Sequence, residues 1–278
     1  MPPAAPDRRR GPLAGALFAA YETLAMLLGL GMLAAICLAW LPVTLPLSLL
    51  PHNPGRRLGR LAIMGSFRFY LWFLGVFCYC RFDLDDLDSL RRDAPLIIVA
   101  NHPSLLDAVI LLSRFPNMVC VMKAALAGNI LFGAGARLAR YICNDVPLQV
   151  ILRAREELRD GGQLLLFPEG TRTTEFPVNP CSGSAGLISA RTGVPIQALL
   201  IEFSTPYLGK AWPLFRRPSL PLRVRVRVGR RFAPPKDVPV FTRELEAYFR
   251  DELSAALGPA AECRGERVGG EPVADPLP

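Results

Sequence analysis

From Thr23 to Pro51 the chain carries no charged side chain: TLAMLLGLGMLAAICLAWLPVTLPLSLLP. A hydrocarbon layer about 30 Å thick is crossed by about 20 apolar residues in a helix. This run is therefore long enough to enter a membrane and too long for an ordinary core helix. It is also too long for a secretory leader, and no small-residue cleavage site follows it. A second apolar segment, Leu61 to Cys80, has Arg68 as its only charge and carries Tyr70, Trp72 and Tyr79, side chains suited to an interfacial depth. Both segments have basic flanks: Arg8, Arg9 and Arg10 before the first, and Arg56, Arg57 and Arg60 between the two. A hairpin crossing the bilayer would carry the latter three to the far side, against the bias of basic residues toward the cytoplasm. Pro42, Pro46 and Pro51 would also break the first helix near its end. The pattern predicts a hairpin lying in one leaflet with its arginines at the headgroups. A single span and a wholly soluble hairpin are the alternatives.

The net charge of +8 attracts anionic surfaces. The apolar N-terminal region points to membrane lipids as partners and away from nucleic acid. Seven scattered cysteines with no CxxC pair read as reduced core thiols of a protein facing the cytoplasm. With two histidines and no clustered cysteines, no metal site is expected.

From about Arg81 the pattern changes. Pro95 to Ala100, Asn117 to Met122, Gln163 to Phe167 and Pro195 to Phe203 are short apolar runs that read as buried strands. Between them lie helical patterns over Ser104 to Phe115, Ala124 to Tyr141 (weakened by three glycines), Gln149 to Arg159 and Ser184 to Thr192. Thr242 to Leu257 closes the folded part. Apolar strands alternating with helices predict an α/β fold with a largely parallel sheet flanked by helices, preceded by the hydrophobic helical hairpin. The expected organisation is a membrane-associated hairpin over 1–80, a catalytic domain over 81–257 and a disordered tail over 258–278. Leu222 to Phe232 alternates strictly, with Arg223, Arg225 and Arg227 on one face. That face is either a charged edge strand or an anion-facing strip.

Two polar loops follow buried strands directly. The first is NHPSLLD, Asn101 to Asp107. Ser104 and Asp107 fit a capping box, so Asp107 could serve the helix alone. The same placement also lets the carboxylate reach one ring nitrogen of His102, fix its tautomer and raise the basicity of the other, as a general base requires. The second is FPEGTRT, Phe167 to Thr173. It combines a carboxylate, a hydroxyl and a guanidinium around a glycine turn. Arg172 can grip a phosphate with two parallel hydrogen bonds, and Gly170 lets the backbone approach a ligand. A plain turn is the alternative for the second loop.

With both loops in order, the chain resembles the glycerolipid acyltransferases of the 1-acylglycerol-3-phosphate (PlsC-like) type. Asn101, His102 and Asp107 match the first motif, Phe167 to Arg172 the third, and Val194-Pro195-Ile196 part of the fourth; the likeness runs from about Leu96 to Ile201. The resemblance implies direct acyl transfer from acyl-CoA or acyl carrier protein to a lipid hydroxyl, with no further cofactor. His102 would act as base and Asp107 would orient it, while Asn101, Lys123, Glu169, Gly170, Thr171 and Arg172 would bind substrate. It also implies residence at the inner (cytoplasmic) membrane with the catalytic domain facing the cytoplasm. The second motif departs from the family: Asn144-Asp145 stand where an arginine is usual. After the third, Cys181-Ser182-Gly183 lacks the usual lysine. Two cationic anchors are missing, which opens a second reading, a non-glycerophosphate acceptor such as an aryl-polyene or another lysolipid. A serine hydrolase and a non-catalytic lipid-binding protein are weaker alternatives.

Overall fold

The computed structural model describes residues 11–47, 52–124, 128, 133–213 and 215–256. The predicted tail over 258–278, Pro51 and most of the segment 125–132 lie outside the described residues. Helix α1 (Pro12–Leu47) and helix α2 (His52–Phe77) run antiparallel as a hairpin. The Tyr21 hydroxyl donates to the Phe77 carbonyl at 3.2 Å, and Trp40 Nε1 donates to Ser66 Oγ at 2.6 Å. Pro42 does not break α1, contrary to expectation. It deprives the Leu38 carbonyl of a partner, but so few turns follow that little helix is lost, and the Thr44 hydroxyl serves the Leu41 carbonyl at 3.2 Å.

The hairpin leads into β1 (Cys80–Asp83), a 3₁₀ turn (Asp85–Leu90), β2 (Leu96–Ala100), α3 (Leu106–Leu112), β3 (Met118–Met122), α4 (Gly133–Leu138), β4 (Ile142–Cys143), α5 (Pro147–Arg159), β5 (Gln163–Leu166), α6 (Ser184–Thr192), β6 (Ile196–Phe203), β7 (Leu222–Phe232) and α7 (Val238–Ala255). The strands form one sheet in the order β1-β7-β6-β2-β5-β3-β4. Every pairing is parallel except β6 with β7. The predicted α/β class with a largely parallel sheet and an N-terminal hairpin is the observed one. The helix expected over 124–141 is described only as α4, which ends at Leu138; a turn and Tyr141 then lead into β4.

The central strand β2 is buried along its whole length. Its alternate side chains feed two cores. Leu96, Ile98 and Ala100 pack with residues of α1, α2 and α3, while Ile97 and Val99 pack with residues of α5, α6 and α7. The hairpin is thus one outer layer of a three-layer body. Ala25, Leu33, Tyr70, Leu71 and Leu74 belong to the same cluster as the sheet residues.

Two of the three hairpin arginines are not at a headgroup position, which corrects the expectation. Arg60 is 2% exposed. It donates to the Ala139 carbonyl at 3.1 Å, Asn117 Oδ1 at 2.7 Å and Glu157 Oε2 at 2.8 Å. Burial draws its pKa below the ordinary guanidinium value, with Glu157 opposing. Arg56 pairs with Glu157 at 3.4 Å and Asp160 at 2.9 Å. Only Arg57 of the three is exposed. The close approach needs Gly59, where a Cβ would stand 2.8 Å from the Leu138 side chain and 3.1 Å from the Ala139 nitrogen.

The arginine strip of β7 is corrected as well. β7 lies between β1 and β6, so it is no edge, and acids face its cations. Arg225 pairs with Asp83 at 3.3 Å, Arg227 with Glu202 at 2.7 Å and Glu252 at 3.6 Å, Arg230 with Glu244 at 2.9 Å, and Arg231 with Asp93. Such a face is largely neutralised and offers little to an anion.

Candidate active site

The carboxyl ends of the adjacent parallel strands β2 and β5 deliver the two polar loops to one place. α/β sheets usually hold their ligands at that edge. His102 Nδ1 lies 2.7 Å from Asp107 Oδ2. The same oxygen accepts the Ser104 N–H at 2.7 Å, and Ser104 Oγ accepts the Leu106 N–H at 3.2 Å. The helix starts at Leu106, one residue later than the capping box suggests; the Asp107 half of the box is formed, while Ser104 Oγ meets the Leu106 N–H in place of the Asp107 N–H. Asp107 therefore serves both the helix start and the imidazole. With the carboxylate ionised, Nδ1 carries the proton and Nε2 keeps a free lone pair. The His102 ring stacks on Phe167, with centroids 4.0 Å apart and planes 18° apart.

Asp107 is fully buried. Burial pushes its carboxyl up to about 6, against the downward pull of the bonds from His102 and Ser104; Glu169 adds to the rise. Its Oδ1 is buried without a hydrogen-bond partner among the described residues.

The second loop wraps the first. Glu169 Oε1 accepts the His102 backbone N–H at 2.7 Å and the Thr173 hydroxyl at 2.9 Å, and Oε2 accepts the Asn179 N–H at 2.9 Å. The Thr173 N–H returns to the His102 carbonyl at 2.7 Å. Gly170 adopts φ +64°, a left-handed turn that L side chains avoid. Nothing in the protein lies within 4 Å of where its Cβ would be. The turn, not crowding by the protein, requires the glycine. Arg172 Nη1 donates to the Leu208 and Gly209 carbonyls at 2.9 and 3.0 Å.

A cavity of about 720 Å³ opens at this point. Its polar wall includes His102, Lys123, Asn144, Gly170, Thr171 and Arg172. Its apolar depth runs between the hairpin and the sheet, past Cys37, Trp40, Phe67, Val109 and Leu112. Of the residues singled out from the sequence, His102, Lys123, Gly170, Thr171 and Arg172 line this space. Asn101 does not; it is 3% exposed, and its side chain exchanges hydrogen bonds with both backbone groups of Ile201 at 2.8 and 2.9 Å. Glu169, 9% exposed, is likewise turned inward.

Sequence reasoning missed Asn179, whose Oδ1 accepts from Thr174 N, Thr174 Oγ1 and Glu175 N at 2.9–3.0 Å. Its signal was an asparagine beside a proline in a loop, where such side chains fold the backbone onto themselves. Ser104 is 1% exposed and capped, which removes it as a nucleophile. Burial pushes the thiols of Cys120 and Cys181 up to about 12, so neither is a thiolate near neutrality.

The family model described as Acyltransferase matches residues 81–202. The 1-acyl-sn-glycerol-3-phosphate acyltransferase of Pseudomonas aeruginosa is 24% identical over 204 residues, which cover 71% of this chain and 76% of that protein. The human 1-acyl-sn-glycerol-3-phosphate acyltransferase beta is 28% identical over 62% of this chain and 64% of its own length. The chloroplastic enzyme BAT2 of Brassica napus is 27% identical over 44% of this chain and 38% of its length. The chain thus spans less than two thirds of the human and Brassica relatives. The crystal structure of PlsC from Thermotoga maritima, a 1-acyl-sn-glycerophosphate acyltransferase, superposes with a TM-score of 0.66 at 18% identity, covering 85% of this chain and 98% of that one, which is a likeness of fold. Family model, relatives, fold and the two loops around His102 agree: over residues 81–202 the chain matches the acyltransferase model, and in fold and sequence it is similar to the PlsC-like acyltransferases.

Proposed function

We propose that this protein is an O-acyltransferase. It moves a fatty acyl group from a CoA or acyl-carrier-protein thioester to the hydroxyl of a lysophospholipid-like acceptor. The observation that carries this reading is the His102–Asp107 dyad opening onto a polar mouth above a long apolar cavity. Nε2 of His102 takes the acceptor's hydroxyl proton as that oxygen attacks the thioester carbonyl. Collapse of the tetrahedral intermediate breaks the C–S bond, and the departing thiolate receives the proton. A thioester is already activated, so no acyl-enzyme is needed. The apolar depth suits the acyl chain, and Lys123, Thr171 and Arg172 at the mouth suit the polar end of a substrate. No cofactor beyond the thioester enters the scheme.

The same reading places the protein on the cytoplasmic membrane with the site facing the cytoplasm. On α1, Leu13, Leu17, Leu24, Leu28 and Leu38 are exposed along one face, and on α2 so are Leu58, Leu61, Phe69, Trp72 and Val76. Each set is a lipid-facing stripe in search of an apolar solvent. α2 is fastened to the sheet body near both ends, through Arg60 and through Leu71 and Leu74. A helix so fastened cannot carry one end across a layer about 30 Å thick, which supports a hairpin resting in one leaflet. Arg57 and Arg68, exposed beside the α2 stripe, suit the headgroups.

A second reading, an acceptor without a glycerol phosphate, is favoured by Asn144, which stands uncharged at the mouth with the carboxylate of Asp145 exposed beside it. The deciding experiment supplies radiolabelled acyl-CoA and acyl carrier protein thioesters to the detergent-solubilised protein, with lysophosphatidate or phosphate-free lipids as acceptors. Transfer to lysophosphatidate is expected, and His102→Ala should lower it by roughly 10²–10⁴ without loss of membrane association. Transfer to phosphate-free acceptors alone would establish the second reading. Near wild-type activity in His102→Ala would refute the base.

A further inference from the structure

The mouth of the cavity contains Gly170, Thr171 and Arg172 but not Glu169 between them and the strand. The Glu169 carboxylate is turned away from that space and is spent. Both oxygens are engaged, by the His102 N–H, the Thr173 hydroxyl and the Asn179 N–H at 2.7–2.9 Å. His102 is held from its other side too, since its carbonyl accepts the Thr173 N–H at 2.7 Å. The main chain on either side of the imidazole is therefore gripped by the second loop. Asn179 completes the brace. Its backbone meets Glu169 while its side chain gathers Thr174 and Glu175 and donates to the Arg172 carbonyl at 3.3 Å.

We infer that Glu169 is a positioning residue for the catalytic base and not a contact for the acceptor, with Asn179 as the anchor that keeps the brace in register. The inference rests on the assignment of His102 as base. A ring held only by its Asp107 bond and its Phe167 stack could pivot with its backbone. The Glu169 brace removes that freedom, and a displacement of about 1 Å in a reacting group can cost roughly a hundredfold in rate. The charge has a second consequence. Glu169 opposes ionisation of Asp107, so it helps to set the pH at which the dyad becomes competent.

The test uses the full chain in detergent, with palmitoyl-CoA as donor and 1-oleoyl-lysophosphatidate as acceptor. In Glu169→Gln one of the three donors must face an amide NH₂. We expect kcat to fall by roughly a hundredfold, KM for both substrates to stay within twofold, and the acid limb of the kcat profile to move to lower pH. A retained kcat with a tenfold higher acceptor KM would overturn the inference. A second variant, Thr173→Val, removes one of the bonds while keeping the side-chain shape, and should show the same split at smaller size. It keeps the question open to test if Glu169→Gln does not fold. A readout independent of turnover separates failure of this inference from failure of the acyl-transfer reading. The chain has only two histidines, His52 and His102, so imidazole NMR spectra, assigned with His52→Gln, report on His102 directly. Glu169→Gln should shift the His102 resonance and broaden it. An unchanged resonance in a folded variant would overturn the positioning role whatever the enzyme acylates.

Discussion

Asp107 ties the proposed chemistry to pH through its burial. The dyad works with the carboxylate ionised, and burial holds its pKa at about 6, so activity should rise with pH through about 6 and vanish below it. A kcat profile between pH 5 and 8 checks this. Stability runs the other way. The folded pKa stands above the ordinary value of 3.8, so folding favours the protonated form. That contribution is present in full below the unfolded pKa and is lost as pH rises through about 6. Asp107→Asn, which cannot ionise, should accordingly gain melting temperature relative to the wild type between pH 4 and pH 8, while losing activity at pH 8, where the wild type is active. At this scale the sequence was informative about which residues matter and less about where they point. His102 and Asp107 were legible because strand end and helix start fix their separation. The inward turn of Asn101 and Glu169 was not, because it depends on β6 and on Asn179, which approach from 100 and 10 residues away.

Among the elements, α2 and α5 are joined by the most consequential polar contact outside the site. Arg60 lies 2% exposed and Glu157 8% exposed in a hydrogen-bonded pair. Such a pair adds little beyond what an apolar replacement would give, but breaking it strands a buried charge at a cost of about 3–5 kcal/mol. Glu157→Ala should lower stability by that amount in thermal or denaturant melts, with Arg60 left facing Asn117 and a carbonyl alone. Sequence periodicity found β2, β3, β5, β6 and the amphipathic α5 and α7 to within a few residues, because their apolar runs are bounded by turn residues. β4 was invisible: it is two residues, Ile142 and Cys143, paired to Val121 and Met122, too short to carry a period. β1 was hidden at the end of the long apolar segment of α2. β7 was found as a strand, but its alternation of arginine and valine could not say that acids from β1, β6 and α7 would lie opposite.

Across the whole molecule, the exposed leucines of α1 and the exposed aromatics of α2 mark the surface that would meet lipid. Replacing Leu24 and Trp72 by Asn should weaken partition into vesicles of phosphatidylethanolamine and phosphatidylglycerol, with burial of each side chain worth about 1.5–3 kcal/mol. Vesicle sedimentation measures it, and wild-type partition in the double variant would move the lipid contact elsewhere. The hairpin has an inner face as well. Its Leu33, Tyr70 and Leu74 share a core with Ile98 and Leu165 of the sheet, and its Trp40 and Phe67 wall the cavity. The change in composition near residue 80 is therefore not a seam in folding. Hairpin and sheet share one buried cluster, so they are expected to unfold together. A fragment beginning at residue 81 would expose one side of β2 to water and leave the cavity as an open trough. Solubilising this protein by trimming its greasy end would remove one wall of the cavity in which the proposed reaction would seat a fatty chain.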